Sequence, residues 1–202
     1  AWRPFGWWKM RITTAGHSLA QGGQNRLQNM VLPVGLEADA LRVFETVLPG
    51  REDESELAER AAALRDGLVG PAAGYLGAGP RAGWVLWFGR RRAGLRITGV
   101  DAGAAELATL RIRRGALTRS LSVMPLVRAQ SVQLRRPLVH RMIGLASIQA
   151  HTVLGPVRME MRGIELGEAR AVFDRLAEAV VRVQSADAEE RAHRSRAGEG
   201  GR

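Results

Sequence analysis

The side chains able to do chemistry in this 202-residue chain are few, and their spacing does not assemble a reaction. Cysteine is absent, which removes disulfides, thiolate metal sites, iron–sulfur clusters and thiol nucleophiles together. That absence also fits a reducing compartment. The histidines, His17, His140, His151 and His193, lack metal-ligand spacing and read as surface or structural groups, so no metal is expected. The segment Gly77-Ala-Gly79-Pro80-Arg81-Ala82-Gly83 has the glycine density of a phosphate loop. It lacks the leading strand and following helix that aim amides at a phosphate, and Pro80 has no amide hydrogen to give. No G-x-S-x-G elbow occurs, and no carboxylate pair falls in an expected cleft. The expectation is a protein that is not an enzyme and uses no cofactor.

Charge is more informative. The chain has 30 basic and 20 acidic residues, a net charge of +10, and all the bases but Lys9 are arginine. Residues 81–142 hold thirteen arginines against Asp101 and Glu106, a net +11, so the remainder sums to −1. One basic zone of this kind asks for an anionic partner. Arg90, Arg91 and Arg92 precede the first strand of that zone, and Arg135 and Arg136 end its fourth. Alternation places Arg111 and Arg113 outward, and Arg114 and Arg119 flank a turn at Gly115. Each arginine beside an anionic leaflet is worth about 1 kcal/mol, so a few together exceed thermal energy several-fold. The competing reading is a solvated face in an arginine-rich chain. Nucleic acid ranks below both, because no recognition helix or exposed aromatic platform is apparent. Trp84, Val85, Leu86, Trp87 and Phe88 stand immediately before the arginine triplet. Trp84, Trp87 and Phe88 are therefore candidates for an interfacial anchor. The area they bury favours the other reading, a first strand packed into its own barrel. The cluster Trp2, Phe5, Trp7 and Trp8 is read the same way.

These groups need a scaffold, and the chain has the material for one: 46% hydrophobic and 25% charged residues can bury a core. No run of about 18 apolar residues exists, so no membrane-spanning helix is expected in this stretch. It begins at Ala1, as a piece cut from a longer chain would. Residues 1–49 read as the end of a domain: strands at 7–14 and 30–34, a loop at 16–29, and a helix over 36–48. Residues 50–80 read as a connector, with an acidic helix capped by Ser55 and carrying Glu56 and Glu59, then a Gly/Pro-rich stretch at 70–80.

Over 81–184, short alternating segments follow one another. Leu95 and Ile97, Leu110 and Ile112, Val132 and Leu134, and Val157, Met159 and Met161 each mark a strand, as does Ile148. Segment 117–124 sets Leu117, Leu121 and Val123 opposite Thr118, Ser120 and Ser122, and a single helical turn fits 137–142. A helix over 165–183 has one apolar stripe through Leu166, Ala169, Val172, Phe173, Leu176, Val180 and Val183, long enough to cover the open end of a barrel. Past Gln184 the periodicity fades, and 185–202 is expected to be disordered. The fold class is α+β, mostly β: a partly open antiparallel barrel or sandwich, apolar inside, capped by its C-terminal helix. The strand-then-helix pattern around Val43-Phe44-Glu45 is echoed around Val172-Phe173-Asp174, which suggests a repeat.

The motifs Gly115-Ala116-Leu117-Thr118-Arg119, Val123-Met124-Pro125-Leu126 and Arg128-Ala129-Gln130-Ser131-Val132 come in that order. Pro137-Leu138, Gly144-Leu145-Ala146, His151-Thr152 and Gly155-Pro156-Val157 follow them. Together, over about residues 84–184, they resemble the bacterial pleckstrin-homology-like (PH-like) domain of multi-pass membrane proteins, and residues 1–49 resemble the end of a preceding copy. Leu126 and Val127 depart from the family, which more usually has a polar or basic residue there. The resemblance implies a helix-capped, partly open barrel on the cytoplasmic face of a cell membrane, within a longer membrane protein, and it implies no reaction. The expected partner is anionic membrane lipid or an acidic protein surface. The alternative is an interaction scaffold without lipid binding, self-associating through sheet edges or the closing helix as a homo-oligomer.

Overall fold

The computed structural model describes residues 6–12, 30–47, 62, 65–67, 74–100, 107–115, 118–152 and 159–199. Trp2, Phe5, His17, the 16–29 loop, Ser55 with Glu56 and Glu59, Leu117 and Val157 lie outside the described residues. The chain opens with β1 (Trp8–Arg11) and β2 (Met30–Gly35), an antiparallel pair, followed by helix α1 (Glu37–Val47). Trp8 and Met10 on one face of β1 meet Ala40 and Leu41 of α1 in a small core.

Among the described residues, seven further strands form two antiparallel sheets. The first is a meander of β3 (Leu76–Gly77), β4 (Gly94–Thr98), β5 (Thr109–Arg114) and β6 (Ser120–Pro125). The second is β7 (Ser131–Arg135), β8 (Leu145–His151) and β9 (Met159–Glu165). Pairing fixes the inner face: Leu95 stands opposite Ile112, Leu110 opposite Met124, and Ile148 opposite both Leu134 and Met161. Because side chains alternate, that register commits every second residue to the core. The two sheets stay separate, which leaves the barrel partly open. Helix α4 (Leu166–Glu199) covers the gap with Ala169, Val172, Leu176, Ala179 and Val183, all buried at helical spacing. Gln184 fastens it further, its Nε2 donating to the Ala129 carbonyl at 2.7 Å. Leu126, which departs from family usage, is fully buried in a short 3-10 turn at the start of the crossing between sheets, and its N–H donates to the Ala108 carbonyl. It serves packing, not a loop contact.

Three expectations are corrected. Residues 83–86 form the one-turn helix α2 (Gly83–Leu86), and 87–89 continue as a 3-10 turn, so no strand forms over Trp84–Phe88. In β6 the phase is reversed: Ser122 and Met124 are the buried inward pair, while Leu121 and Val123 face outward and join the core of the N-terminal unit. An outer face covered by protein takes apolar residues as readily as an inner one, so alternation alone does not identify the barrel side. Finally, α4 runs to Glu199, where disorder was expected past Gln184. The loss of apolar periodicity marks where the helix leaves the barrel. Beyond it, pairs four residues apart (Asp187 with Arg191, Glu190 with Arg194) support helix in water.

Between β7 and β8 lies α3 (Leu138–Met142), the helical turn expected there. Its one buried residue is His140, whose Nδ1 shares a hydrogen bond with Ser147 Oγ at 3.2 Å. Burial and the nearby Arg162 charge push the His140 pKa down, against a smaller upward pull from Glu160.

Met161, fully buried between the sheet and α4, tests the core: Met161→Ala should lower unfolding stability by about 2–5 kcal/mol in a urea titration. His140 gives a pH signature. Its folded-state pKa lies below that of the unfolded chain, so its contribution is complete above about pH 6.5 and is lost as the pH falls through the folded value. The urea midpoint should therefore fall between about pH 7.5 and pH 5.5, and His140→Gln, which has no proton to gain in that range, should flatten the slope.

Candidate functional site

The aromatic turn is seated by a β-bulge. Ala146 pairs with Ile164 and Ser147 with Arg162, which leaves Gly163 as the extra residue of β9, at φ +76°. The Gly163 carbonyl accepts the Gly79 N–H at 2.9 Å, and a β-carbon there would sit 2.7 Å from Ala82 Cβ and 3.1 Å from Leu86 Cδ1. Only glycine permits both the backbone angle and this approach. Arg81 reaches Glu165 at 3.9 Å, and Arg90 Nη1 donates back to the Pro80 carbonyl at 2.9 Å. The turn is thus held at the end of the β8–β9 ladder by backbone and arginine contacts. Leu86 packs inward, while Trp84, Trp87 and Phe88 are 75–87% exposed. The expectation favoured by buried area, that these rings pack into the barrel, is overturned. Trp87 holds φ +47° with ψ −127°, a conformation L-residues rarely adopt.

The basic residues divide into two groups. Arg111 and Arg113 do lie on the outer face of β5, as alternation predicts, but they are only 7% and 1% exposed. That face is covered. The Arg113 guanidinium lies 4.7 Å from the centre of the Tyr75 ring, Arg96 stands 5.9 Å from the same ring, and Arg111 Nε donates to Thr109 Oγ1 at 3.3 Å. Burial raises the Tyr75 pKa most, with Asp66 adding to it, and the charges of Arg111, Arg113 and Arg96 pull against them. Arg114 is half-buried and donates to Ser122 Oγ at 3.1 Å and the Glu160 carbonyl at 3.4 Å. Arg119 is half-buried beside the Gly115 turn, and half-buried Arg92 donates to the Gly67 carbonyl.

The second group lies near the aromatic turn. Arg91 is exposed and Arg90 half-buried at its end. Arg135 and Arg136 close β7 and lead into α3; Arg135 is exposed, and the Arg136 carbonyl accepts from Arg141 Nε at 3.1 Å. Gly144, which follows α3, lies against Arg81: a β-carbon there would be 3.1 Å from its Nη1. The Gly144 carbonyl also accepts the Leu166 N–H, one residue past Glu165. The turn and α3 therefore share one end of the barrel. Arg81 and Arg141 were not singled out in sequence; the signal for each was its place beside a predicted turn or linker.

Among the described residues, the groups that could do chemistry here are engaged with other partners. A two-residue strand does lead into the Gly77–Gly83 segment and a one-turn helix follows, but the Gly79 amide is spent on Gly163 and Pro80 opens the 3-10 turn. A cavity of about 360 Å³ lies between β4 and α4, and its one lining carboxylate, Glu178, pairs with Arg182 at 3.2 Å. Glu160 is held below the usual carboxylate range: burial pushes it up, but the Arg162 hydrogen bond and the Arg162, Arg114 and Arg135 charges outweigh that. Among the described residues no cluster of three acids or histidines is placed to hold a metal. No described helix is long and apolar enough to cross a membrane.

No curated protein and no solved structure matches the chain. Residues 82–180 match the model of the bacterial PH domain, a span that holds β4 to β9 and the first part of α4. This part of the chain belongs to the bacterial PH domain family.

Proposed function

We propose that this chain acts as a non-catalytic membrane-surface module that docks on anionic lipid through the aromatic end of its barrel. One observation carries the reading: three aromatic rings, 75–87% exposed, project from a turn ringed by Arg81, Arg90 and Arg91. Water-exposed clusters of large aromatic residues are rare on soluble surfaces, and tryptophan sits comfortably at headgroup depth. Residues 79–92 contain no acid, and Glu165 against the turn is matched by Arg81, so Arg90 and Arg91 leave an excess of positive charge beside the rings. Each arginine adds about 1 kcal/mol beside an anionic leaflet. The Gly163 bulge and the core behind it present the rings rigidly, which limits the ordering entropy lost on docking. An acidic protein partner would meet the charge but would need pockets shaped to all three rings, whereas an interfacial lipid layer accommodates them without a matched site.

Co-sedimentation with vesicles tests this. The bound fraction should rise with the proportion of anionic lipid, fall with added salt, and drop on the substitution Arg90→Glu/Arg91→Glu; binding indifferent to all three would refute it. Trp87→Gly separates binding from folding. It removes an exposed ring and relieves a backbone strain worth about 1–3 kcal/mol, less about 0.5–1 kcal/mol for glycine's unfolded-state entropy. The variant should be as stable as the parent or more so in urea, yet bind vesicles more weakly.

A further inference from the structure

Helix α3 is amphipathic in the wrong sense for water. Its polar His140 is turned inward onto Ser147, while Leu138, Val139 and Met142 are 60–86% exposed. A five-residue turn with three apolar side chains in solvent and its histidine in the core is inverted relative to the usual sorting. This turn shares the barrel end with the aromatic turn, through Gly144 against Arg81 and Leu145 paired with Glu165. Arg136 and Arg141 border it, and residues 135–147 contain no acid.

We infer that α3 is a second membrane-inserting element, seating Leu138, Val139 and Met142 in the acyl boundary of the same anionic leaflet. The inference rests on the docking mode proposed above and adds a partner depth and an orientation to it. Two apolar prongs on one rigid end fix the barrel upright, whereas one would leave it free to tilt. Inward His140 holds α3 on β8, so the exposed trio is presented by the fold. The occupant is a bilayer because both prongs are short, convex and bordered by arginine, which matches a phosphate layer over an apolar slab. A helix-binding partner would call for a groove instead.

The chain has no cysteine, so single labels can be placed cleanly. An environment-sensitive fluorophore is attached to the full chain at Met142→Cys, at Trp84→Cys, and at Val181→Cys on the exposed side of α4 as the reference. Each is titrated with vesicles of phosphatidylcholine and phosphatidylglycerol, with and without lipids brominated near the top of the acyl chain. The labels at 142 and 84 should both shift to the blue and be quenched by bromine, while that at 181 stays in water. Insertion at 84 without any change at 142 would overturn the role of α3 and leave the docking mode standing. No change at either would overturn both. A shift at 142 that grows with protein concentration in the absence of vesicles would overturn it in favour of a second copy of the chain. Leu138→Glu/Met142→Glu, which alters only exposed side chains, should weaken vesicle binding about tenfold or more while the thermal unfolding midpoint holds. Unchanged binding by this variant would equally overturn the inference.

Discussion

A guanidinium withdrawn from water must be given something in exchange, and the exchange made at Arg113 determines where this chain's positive charge is able to act. Arg113 is almost wholly buried against the face of Tyr75, with Arg96 reaching the same ring. A desolvated cation over an aromatic face gains about 2 kcal/mol, enough to offset part of its lost hydration. The cover extends across the sheet, where Leu121 and Val123 meet Trp8, Met10 and Leu41. The broad outer face of the four-stranded sheet is thereby committed to holding the N-terminal unit. Arginines stay exposed at the barrel end, at Arg91, Arg135 and Arg141, and also at Arg128 before β7 and along α4.

That division explains how much could be read from residues alone. Alternation found β4 to β9, because Leu95, Ile112, Ile148 and Met161 must share one inner face whatever lies outside it, whereas the two-residue β3 falls in the stretch read as a linker and is too short to alternate. The helical stripe of α4 was equally plain, since Ala169, Val172, Leu176 and Val183 fall on one side at any register. Alternation is blind to what covers an outer face. It assigned Arg111 and Arg113 correctly to that face but not to its burial, and it read Leu121 and Val123 as inward because they are apolar. The run Trp84–Phe88 failed for a related reason. Five large apolar residues look like a buried strand, and the exposure of Trp84, Trp87 and Phe88 depends on the bulge at Gly163, about eighty residues downstream.

The two prongs of the barrel end depend on different local chemistry. The aromatic turn is fixed by backbone geometry, with Gly163 in the left-handed region to receive Ala82 and Leu86. The α3 turn is fixed by a polar contact beneath it, His140 on Ser147. Both are anchored to the β8–β9 ladder, which pairs six residues of each strand, so their separation is set by a stiff element. A bacterial PH domain built in this way is suited to presenting groups at fixed positions, which is what recognition of a surface requires and what a lone flexible basic tail cannot supply.

The most direct test of end-on docking is amide hydrogen exchange on the chain with and without anionic vesicles. Docking through the barrel end predicts added protection confined to residues 83–91 and 138–144, with the amides of β5 and the distal half of α4 unchanged. Protection spread along α4 or the outer face of β4–β6, with none at the two turns, would contradict it.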